Sequence, residues 1–301
     1  MLEEKLASVP SSAAGDLRPL VVDVLLTPTE SGGASVANPG SVAIVIDVVR
    51  ATTTLSVMFD RGCARVLVAG DIPEARALVA GAAESLLLAG EAGGLRPPGF
   101  DFGNSPVELA AAQLAGREIV FCTTNGTRAL RACAGARAIL AGSLRNADAV
   151  CRAALRRVGP ASEGTETASA GPLSGETTSE ARIEPEERAA GIVIVCSGRS
   201  HRPAADDTMC AGVLVEHLER LAPVHDYALQ LRDGALLAKT VAAGAPSLYE
   251  LLRQSAAGQA ISKVGLASDL AFCAEINASQ SVPLVEGATA EGLLIMRRAD
   301  E

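Results

Sequence analysis

Short apolar runs rich in β-branched residues alternate along the first half of the chain with Ala/Leu-rich stretches of helical length, and this alternation leaves few folds open. The runs are Leu20–Leu26, Val42–Ile46, Val66–Val68, Leu86–Leu88, Ile119–Cys122 and Ile139–Leu140. Between them lie Ala51–Asp60, Ile72–Ala83, Ser105–Ala115, Gly126–Cys133 and Leu144–Val158. Strands that are apolar throughout are covered on both faces, as parallel strands are. Strand and helix in turn give βαβ units, hence an α/β fold with a mainly parallel sheet in three α/β/α layers.

Gly159–Ala190 interrupts the pattern. It is crowded with Ser, Thr, Gly, Pro and Glu and carries seven Glu against two Arg. That composition reads as a solvated, flexible acidic loop or linker. Afterwards the pattern resumes with Ile192–Cys196 as a strand, helical stretches near Thr208–Leu221, Asp226–Ala243 and Lys263–Ala274, and a last apolar run, Leu293–Met296. The organisation expected is an N-terminal α/β half over 1–158, the linker over 159–190, and a C-terminal half over 191–301 that completes the site. The sequence leaves open whether the halves are similar domains or one sheet carrying an insertion.

The chain has 301 residues, 49% of them hydrophobic and 20% charged, with a net charge of −9. This is a globular composition long enough for a large core. The acidic balance argues against nucleic acid as a partner. No apolar run approaches the roughly 20 residues of a membrane span, so no membrane partner and a cytoplasmic location are expected. Seven cysteines, at 63, 122, 133, 151, 196, 210 and 273, form no C-x-x-C pair and read as buried thiols in a reducing compartment. His201, His217 and His225 lack zinc-ligand spacing, so any metal would sit among oxygens, which suits Mg²⁺. An isologous homodimer is the base-rate expectation for assembly.

In an open parallel sheet ligands bind beyond the carboxyl ends of the strands, so the residues following each run are the candidates. After Val42–Ile46 comes IDVVRATTT, with Asp47 at the strand end, Arg50 in the turn and Thr52, Thr53 and Thr54 at the next helix start. Such a helix start offers N–H groups and hydroxyls to an anion, Arg50 offers a two-pronged guanidinium, and Asp47 suits Mg²⁺ or a phosphoryl group. The plain alternative is a Thr-capped helix with an Asp–Arg pair. Glu91 follows Leu86–Leu88 and would complete an oxygen site with Asp47.

GFDFGNSP, at 99–106, combines Asp101, Gly103 and Asn104 in a loop that lets backbone approach a ligand with Ser105-Pro106, which is also good helix-start chemistry. TTNGT, Thr123 to Thr127 with Thr124, Asn125 and Gly126 at its centre, forms a second anion-friendly turn before a helix. Two such cradles suit a substrate with two anionic ends. After the strand at 192–196 come CSGRSHRP and DDTMCAG. Cys196 and Arg202 have the C-x5-R spacing of cysteine-dependent phosphatases, although Pro203 removes a donor from that loop. Asp207 is the stronger candidate, as a metal or acid–base carboxylate or as a simple helix cap. The chain has no Gly-Lys pair and therefore no P-loop, no G-x-G-x-x-G after a strand, and no second Asp two positions beyond Asp47.

IDVVRATTT, GFDFGNSP, TTNGT and DDTMCAG, in this order, resemble the 2-phosphosulfolactate phosphatase (ComB) family. The late segment with Asp269-Leu270, Phe272-Cys273, Asn277 and Val282-Pro283 is similar to that family's C-terminal end. The resemblance runs from about Val21 to about Pro283 and omits Gly159–Ala190. It implies a Mg²⁺-dependent phosphatase that hydrolyses (2R)-2-phospho-3-sulfolactate to 3-sulfolactate and phosphate, a step toward coenzyme M. It carries over Asp47, Arg50, Thr52 to Thr54, Glu91, Asp101, Gly103, Asn104, Ser105, Thr123 to Thr127, and Asp207 with Cys210.

On this reading Asp47, Arg50 and Asp207 carry the chemistry, and Asp47 with Glu91 and Asp207 holds Mg²⁺. The two threonine turns hold a small anionic phosphorylated substrate. A phosphatase of another phosphorylated hydroxy acid and a non-catalytic phospho-anion-binding protein are the alternatives.

Overall fold

The computed structural model describes residues 17–28, 37, 39–81, 86–159, 191–289 and 292–300. The acidic linker expected over 159–190 lies, apart from Gly159, outside the described residues. The strands are β1 (Arg18–Leu25), β2 (Val42–Ile46), β3 (Arg65–Ala69), β4 (Leu87–Gly90), β5 (Glu118–Cys122), β6 (Ala138–Gly142), β7 (Gly191–Cys196), β8 (Tyr227–Leu231), β9 (Pro283–Ala288) and β10 (Leu294–Arg298). The helices are α1 (Ala51–Asp60), α2 (Ile72–Gly81), α3 (Pro106–Ala110), α4 (Gly126–Ala132), α5 (Ala147–Arg157), α6 (Ala205–Leu221), α7 (Asp233–Gly244), α8 (Leu248–Gln254), α9 (Ala256–Lys263) and α10 (Ser268–Cys273).

Among the described residues, ten strands join one sheet in the order β4-β5-β3-β10-β9-β6-β2-β7-β1-β8. Strands from before and after the acidic segment interleave: β2 lies between β6 and β7, and β1 between β7 and β8, all parallel. A second parallel group, β3, β5 and β4, is joined to the first by the antiparallel hairpin of β9 and β10. Among the described residues the strands thus form one sheet rather than two sheets in sequence.

Side-chain parity builds the layers. From β2, Val42, Ile44 and Ile46 face a core shared with Val150 of α5, Leu214 of α6 and Ala238 of α7, while Ala43 and Val45 face Leu55 and Met58 of α1 and Leu130 of α4. The second cluster also takes Val66, Val68 and Phe121, so α1 and α4 pack against both parallel groups. Leu67, Val120 and Cys122 turn to a third cluster with Ala75 of α2. Burying a Leu, Ile or Phe side chain contributes about 1.5–3 kcal/mol, and apolar residues fill both faces of the central strands. All seven cysteines are buried. No helix among the described residues is long and apolar enough to cross a membrane.

Several elements depart from the sequence expectation. The helix read over Asp226–Ala243 is strand β8 followed by α7; Tyr227 is buried, Ala228 and Gln230 are exposed, and this period of two marks an edge strand. The helix read over Ser105–Ala115 shrinks to Pro106–Ala110. The one read over Lys263–Ala274 is split, because Gly265, at φ +84°, turns the chain between α9 and α10.

Gly212 of α6 shows how closely the outer layer is fitted: a Cβ there would overlap the Ala238 carbonyl of α7 and lie 2.8 Å from Ala242 Cβ. Gly212→Ala should therefore destabilise the protein by about 1–3 kcal/mol in urea unfolding despite alanine's better helix propensity, and an unchanged midpoint would contradict this packing.

Candidate functional site

The turn after β2 is organised by Asp47. Its backbone N–H donates to Thr52 Oγ1 at 3.1 Å, its carbonyl accepts from Thr52 N–H at 3.0 Å, and its Oδ1 accepts from Ala51 N–H at 3.4 Å. Asp47 thus caps α1 from four residues upstream, which places a carboxylate at the positive end of the helix. Its Oδ2 lies against Gly126, where a Cβ would stand 3.1 Å from Oδ2, 2.8 Å from Ala51 Cβ and 3.2 Å from Thr123 Oγ1. Only glycine lets the start of α4 close onto the start of α1, so the two threonine turns meet at one carboxylate.

Thr52, Thr53 and Thr54 are buried, and their hydroxyls are not all free for an anion, as their sequence position suggests. Thr53 donates to the Val48 carbonyl at 2.9 Å and Thr54 to the Asn104 carbonyl at 3.3 Å, while Thr52 receives Asp47 N–H. They brace the turns. A run of three β-branched residues at a helix start is tolerated because each hydroxyl has a tertiary partner.

Two adjacent acids approach from α6. Asp207 Oδ1 accepts Val48 N–H at 2.9 Å, and its Oδ2 accepts Ser197 Oγ–H at 2.9 Å and Gly198 N–H at 3.1 Å. Both oxygens are engaged, so Asp207 ties the β2 turn to the β7 turn, which leaves little room for the metal role expected of it. Asp206, which the sequence reading passed over, faces Asp47 electrostatically. Burial first, then the charges of Asp206 and Glu91, push Asp47 up to about 7, against the opposing Ala51 N–H and Arg50. Burial pushes Asp206 up to about 6. Asp207 is raised well above the usual range by burial and by both neighbours.

Arg50 is also placed differently from expectation. Its Nη1 forms a 2.7 Å ion pair with Asp269 Oδ2 and its Nη2 donates to the Gly94 carbonyl at 2.7 Å; Arg50 is only 3% exposed and Asp269 is sealed at 0%. Asp269 Oδ1 accepts Ser105 Oγ–H at 2.6 Å, and Ser105 also caps α3 by accepting Glu108 N–H. Arg50 therefore fastens the β2 turn to α10 and the loop after β4 instead of offering its two prongs to a ligand. Glu91 is filled as well: Oε1 takes Thr124 N–H and Oγ–H, and Oε2 takes Gly94 N–H.

Among the other expected residues, Asp101 is exposed and pins its loop by accepting Leu88 N–H, and Gly103 N–H goes to Glu108. Asn104 is buried, and its Oδ1 has no partner among the described residues. Thr123 and Thr127 are buried with hydroxyls 3.5 Å apart, Asn125 is half-buried, and Thr124 is exposed at the rim. Cys196 is fully buried in the core behind β7, and residues 199–202 close a tight turn by reciprocal backbone bonds between Arg199 and Arg202. With its thiol sealed in the core, Cys196 is not presented as an exposed nucleophile at that turn.

No group of three or more His, Cys, Asp or Glu is gathered to hold a metal among the described residues, so Asp47, Glu91 and Asp207 do not form a three-carboxylate site. What remains is Asp47 Oδ2 with Asp206, two hard oxygen donors, of which Asp206 raises the proton affinity of Asp47 and is itself raised by burial. Mg²⁺ is held by one or two carboxylates with waters and substrate phosphate completing its shell, and this pair fits that need.

The 2-phosphosulpholactate phosphatase family model matches residues 25–160 and 176–288. A Thermus thermophilus protein named probable 2-phosphosulfolactate phosphatase is 36% identical over 266 residues, covering 88% of this chain and 96% of its own. Its Deinococcus radiodurans namesake is 38% identical over 248 residues, covering 82% and 88%. A third, from Symbiobacterium thermophilum, is 32% identical over 256 residues, covering 81% and 91%.

Two stability measurements test this geometry. Asp47's folded proton affinity is raised from 3.8 to about 7, so its stabilising contribution is complete below pH 4 and is lost as pH rises through 7. With metals chelated, Asp47→Asn should match the natural protein near pH 4 and exceed it by on the order of 2–4 kcal/mol at pH 8. Asp269→Ala strands the Arg50 guanidinium in the interior and should cost about 3–5 kcal/mol in chemical denaturation; a loss below 1 kcal/mol would refute the pair's role.

Proposed function

The chain belongs to the 2-phosphosulpholactate phosphatase family, and from that premise we propose that it is a phosphoric monoester hydrolase acting on 2-phospho-3-sulfolactate. The observation that carries the reading is Asp47 Oδ2, a buried carboxylate oxygen where two strand–helix turns close on each other, with Asp206 beside it. Such raised carboxylates cost stability and are concentrated at working sites.

Asp47 and Asp206 are the residues that would hold Mg²⁺, which supplies neutralisation of phosphoryl charge as the ester bond breaks. The protein fixes the rest in advance. Asp207 holds the β2 and β7 turns at a set separation through three donors, and the Arg50–Asp269–Ser105 chain holds the loop after β4 and α3 against them. Donors held this way need not reorganise when charge develops, which is where most electrostatic catalysis comes from. Thr123 and Thr127, whose buried hydroxyls lie 3.5 Å apart, are the donors proposed to receive the sulfonate and carboxylate.

The test is phosphate release from 2-phosphosulfolactate and a panel of phosphorylated hydroxy acids, each with Mg²⁺ and with EDTA. The expected result is Mg²⁺-dependent release, strongest on phosphosulfolactate, reduced more than about 1,000-fold in Asp47→Asn, reduced at least about 100-fold in Asp206→Asn, and retained in Cys196→Ala. Release strongest on another acid would keep the chemistry and discard the substrate. No release from any of them would leave a phospho-anion-binding protein.

A further inference from the structure

A guanidinium is one way to offset the charge of a phosphorylated substrate approaching Asp47, and Arg50 is engaged elsewhere. Its Nη1 is on Asp269 and its Nη2 on Gly94, each at 2.7 Å, at 3% exposure. Arg128 is placed differently. It lies in the first turn of α4, two residues beyond Gly126, where a Cβ would meet Asp47 Oδ2 and Thr123 Oγ1. Its Nη2 reaches the Ser197 carbonyl at 3.4 Å, and its Nη1 stands 3.4 Å from His201 Nε2. Ser197 belongs to the turn on the other side of Asp47, because its N–H donates to the Ile46 carbonyl at 2.7 Å and its hydroxyl to Asp207. Arg128 therefore spans the two turns that flank Asp47.

Its bonding is poor for a half-buried guanidinium. Both contacts lie at the outer limit of hydrogen-bond length, and Nε is buried with no partner among the described residues. Arginine presents five donors, and those that are buried normally have a partner. The loop that brings His201 to it is strained: Ser200 and His201 sit at φ 49° and 60°, a region non-glycine residues enter at a cost. A phosphoryl group offers two oxygens to parallel N–H donors, a better partner than either present contact.

Resting on the phosphatase reading, we propose that Arg128 is the residue that grips the substrate's phosphoryl oxyanion, its guanidinium exchanging Ser197 and His201 for two phosphoryl oxygens. Arg50 is then a positioning residue that acts through Asp269 and never touches substrate.

The experiment compares the natural protein with Arg128→Met and Arg128→Lys, using inorganic phosphate as the calorimetric ligand with Mg²⁺ present, thermal melting as the fold control, and kcat and KM on the phosphomonoester. Arg128→Met should melt close to the natural protein, bind phosphate about 10- to 100-fold more weakly, and lose at least as much in kcat/KM. Arg128→Lys, a point charge without the paired donors, should fall between them, and it decides the matter if the Met variant does not fold. Unchanged phosphate binding and kcat/KM in a folded variant overturn the proposal while leaving the hydrolase reading intact. A natural protein that binds no phosphate at millimolar concentration overturns it as well. Phosphate binding that depends on Arg128, in a protein that hydrolyses no phosphomonoester, keeps the proposed oxyanion site and removes the hydrolase.

Discussion

Arg50 and Asp269 are 219 residues apart in the chain and 2.7 Å apart in the fold, and the geometry of the site depends on that ion pair. Both side chains are cut off from water, so the pair gains little net stability over an apolar substitute; its value lies in what it fixes. Through Gly94 and Ser105 the same two residues hold the loop after β4 and the start of α3. Without the pair, three segments from distant parts of the sequence would have no common polar anchor beside the turn that carries Asp47. The glycine at 126 does the complementary work of letting the second turn close, because any Cβ there would crowd the Asp47 carboxylate.

The acids set the opposite term. Asp47, Asp206 and Asp207 are each buried, and each is pushed above the usual carboxylate range chiefly by that burial. A fold selected for stability alone would not keep three neighbouring carboxylates out of water. Asp207 is partly compensated by three donors, whereas Asp206 has mainly backbone N–H groups and the nearby Arg199 charge. On the proposed function the division follows: the well-bonded acid builds the walls of the site, and the less-bonded pair would hold the metal.

How much of this the sequence shows follows from the range of each interaction. The βαβ alternation and the rule that ligands sit beyond parallel strand ends locate Asp47, the Thr123–Thr127 turn and the Asp206-Asp207 helix start, because these are local patterns. That Asp207, and not Asp206, ties the β2 turn to the β7 turn is not local, since neighbours on a helix point about 100° apart and only the docking angle of α6 decides. Arg50 reads as a ligand arginine until Asp269 arrives from the far end of the chain to occupy it. Edge strand β8 was hidden because Ala and Leu suit helix and strand alike, and only the exposed Ala228 and Gln230 betray a period of two. Arg128 follows a motif that draws attention to its glycine and threonines, and its significance rests on a carbonyl 69 residues away.

Charge arithmetic then limits how the proposed reaction can begin. Two unit charges of like sign 4 Å apart repel by about 4 kcal/mol at the effective dielectric of a partly buried site. A phosphorylated, sulfonated acid entering beside Asp47 and Asp206 would meet repulsion of this size from each ionised carboxylate. A bound oxyanion therefore requires at least one of three changes: a proton on a carboxylate, a divalent cation between the charges, or an arginine turned toward the phosphoryl group. The raised proton affinities of the acids make the first partly available near neutral pH, and the oxygen pair suits the second. With Arg50 fastened to Asp269, the third falls to Arg128, whose present bonds are long enough to give up. The same burial that makes the acids costly in the empty protein thus couples arrival of the anion to arrival of positive charge.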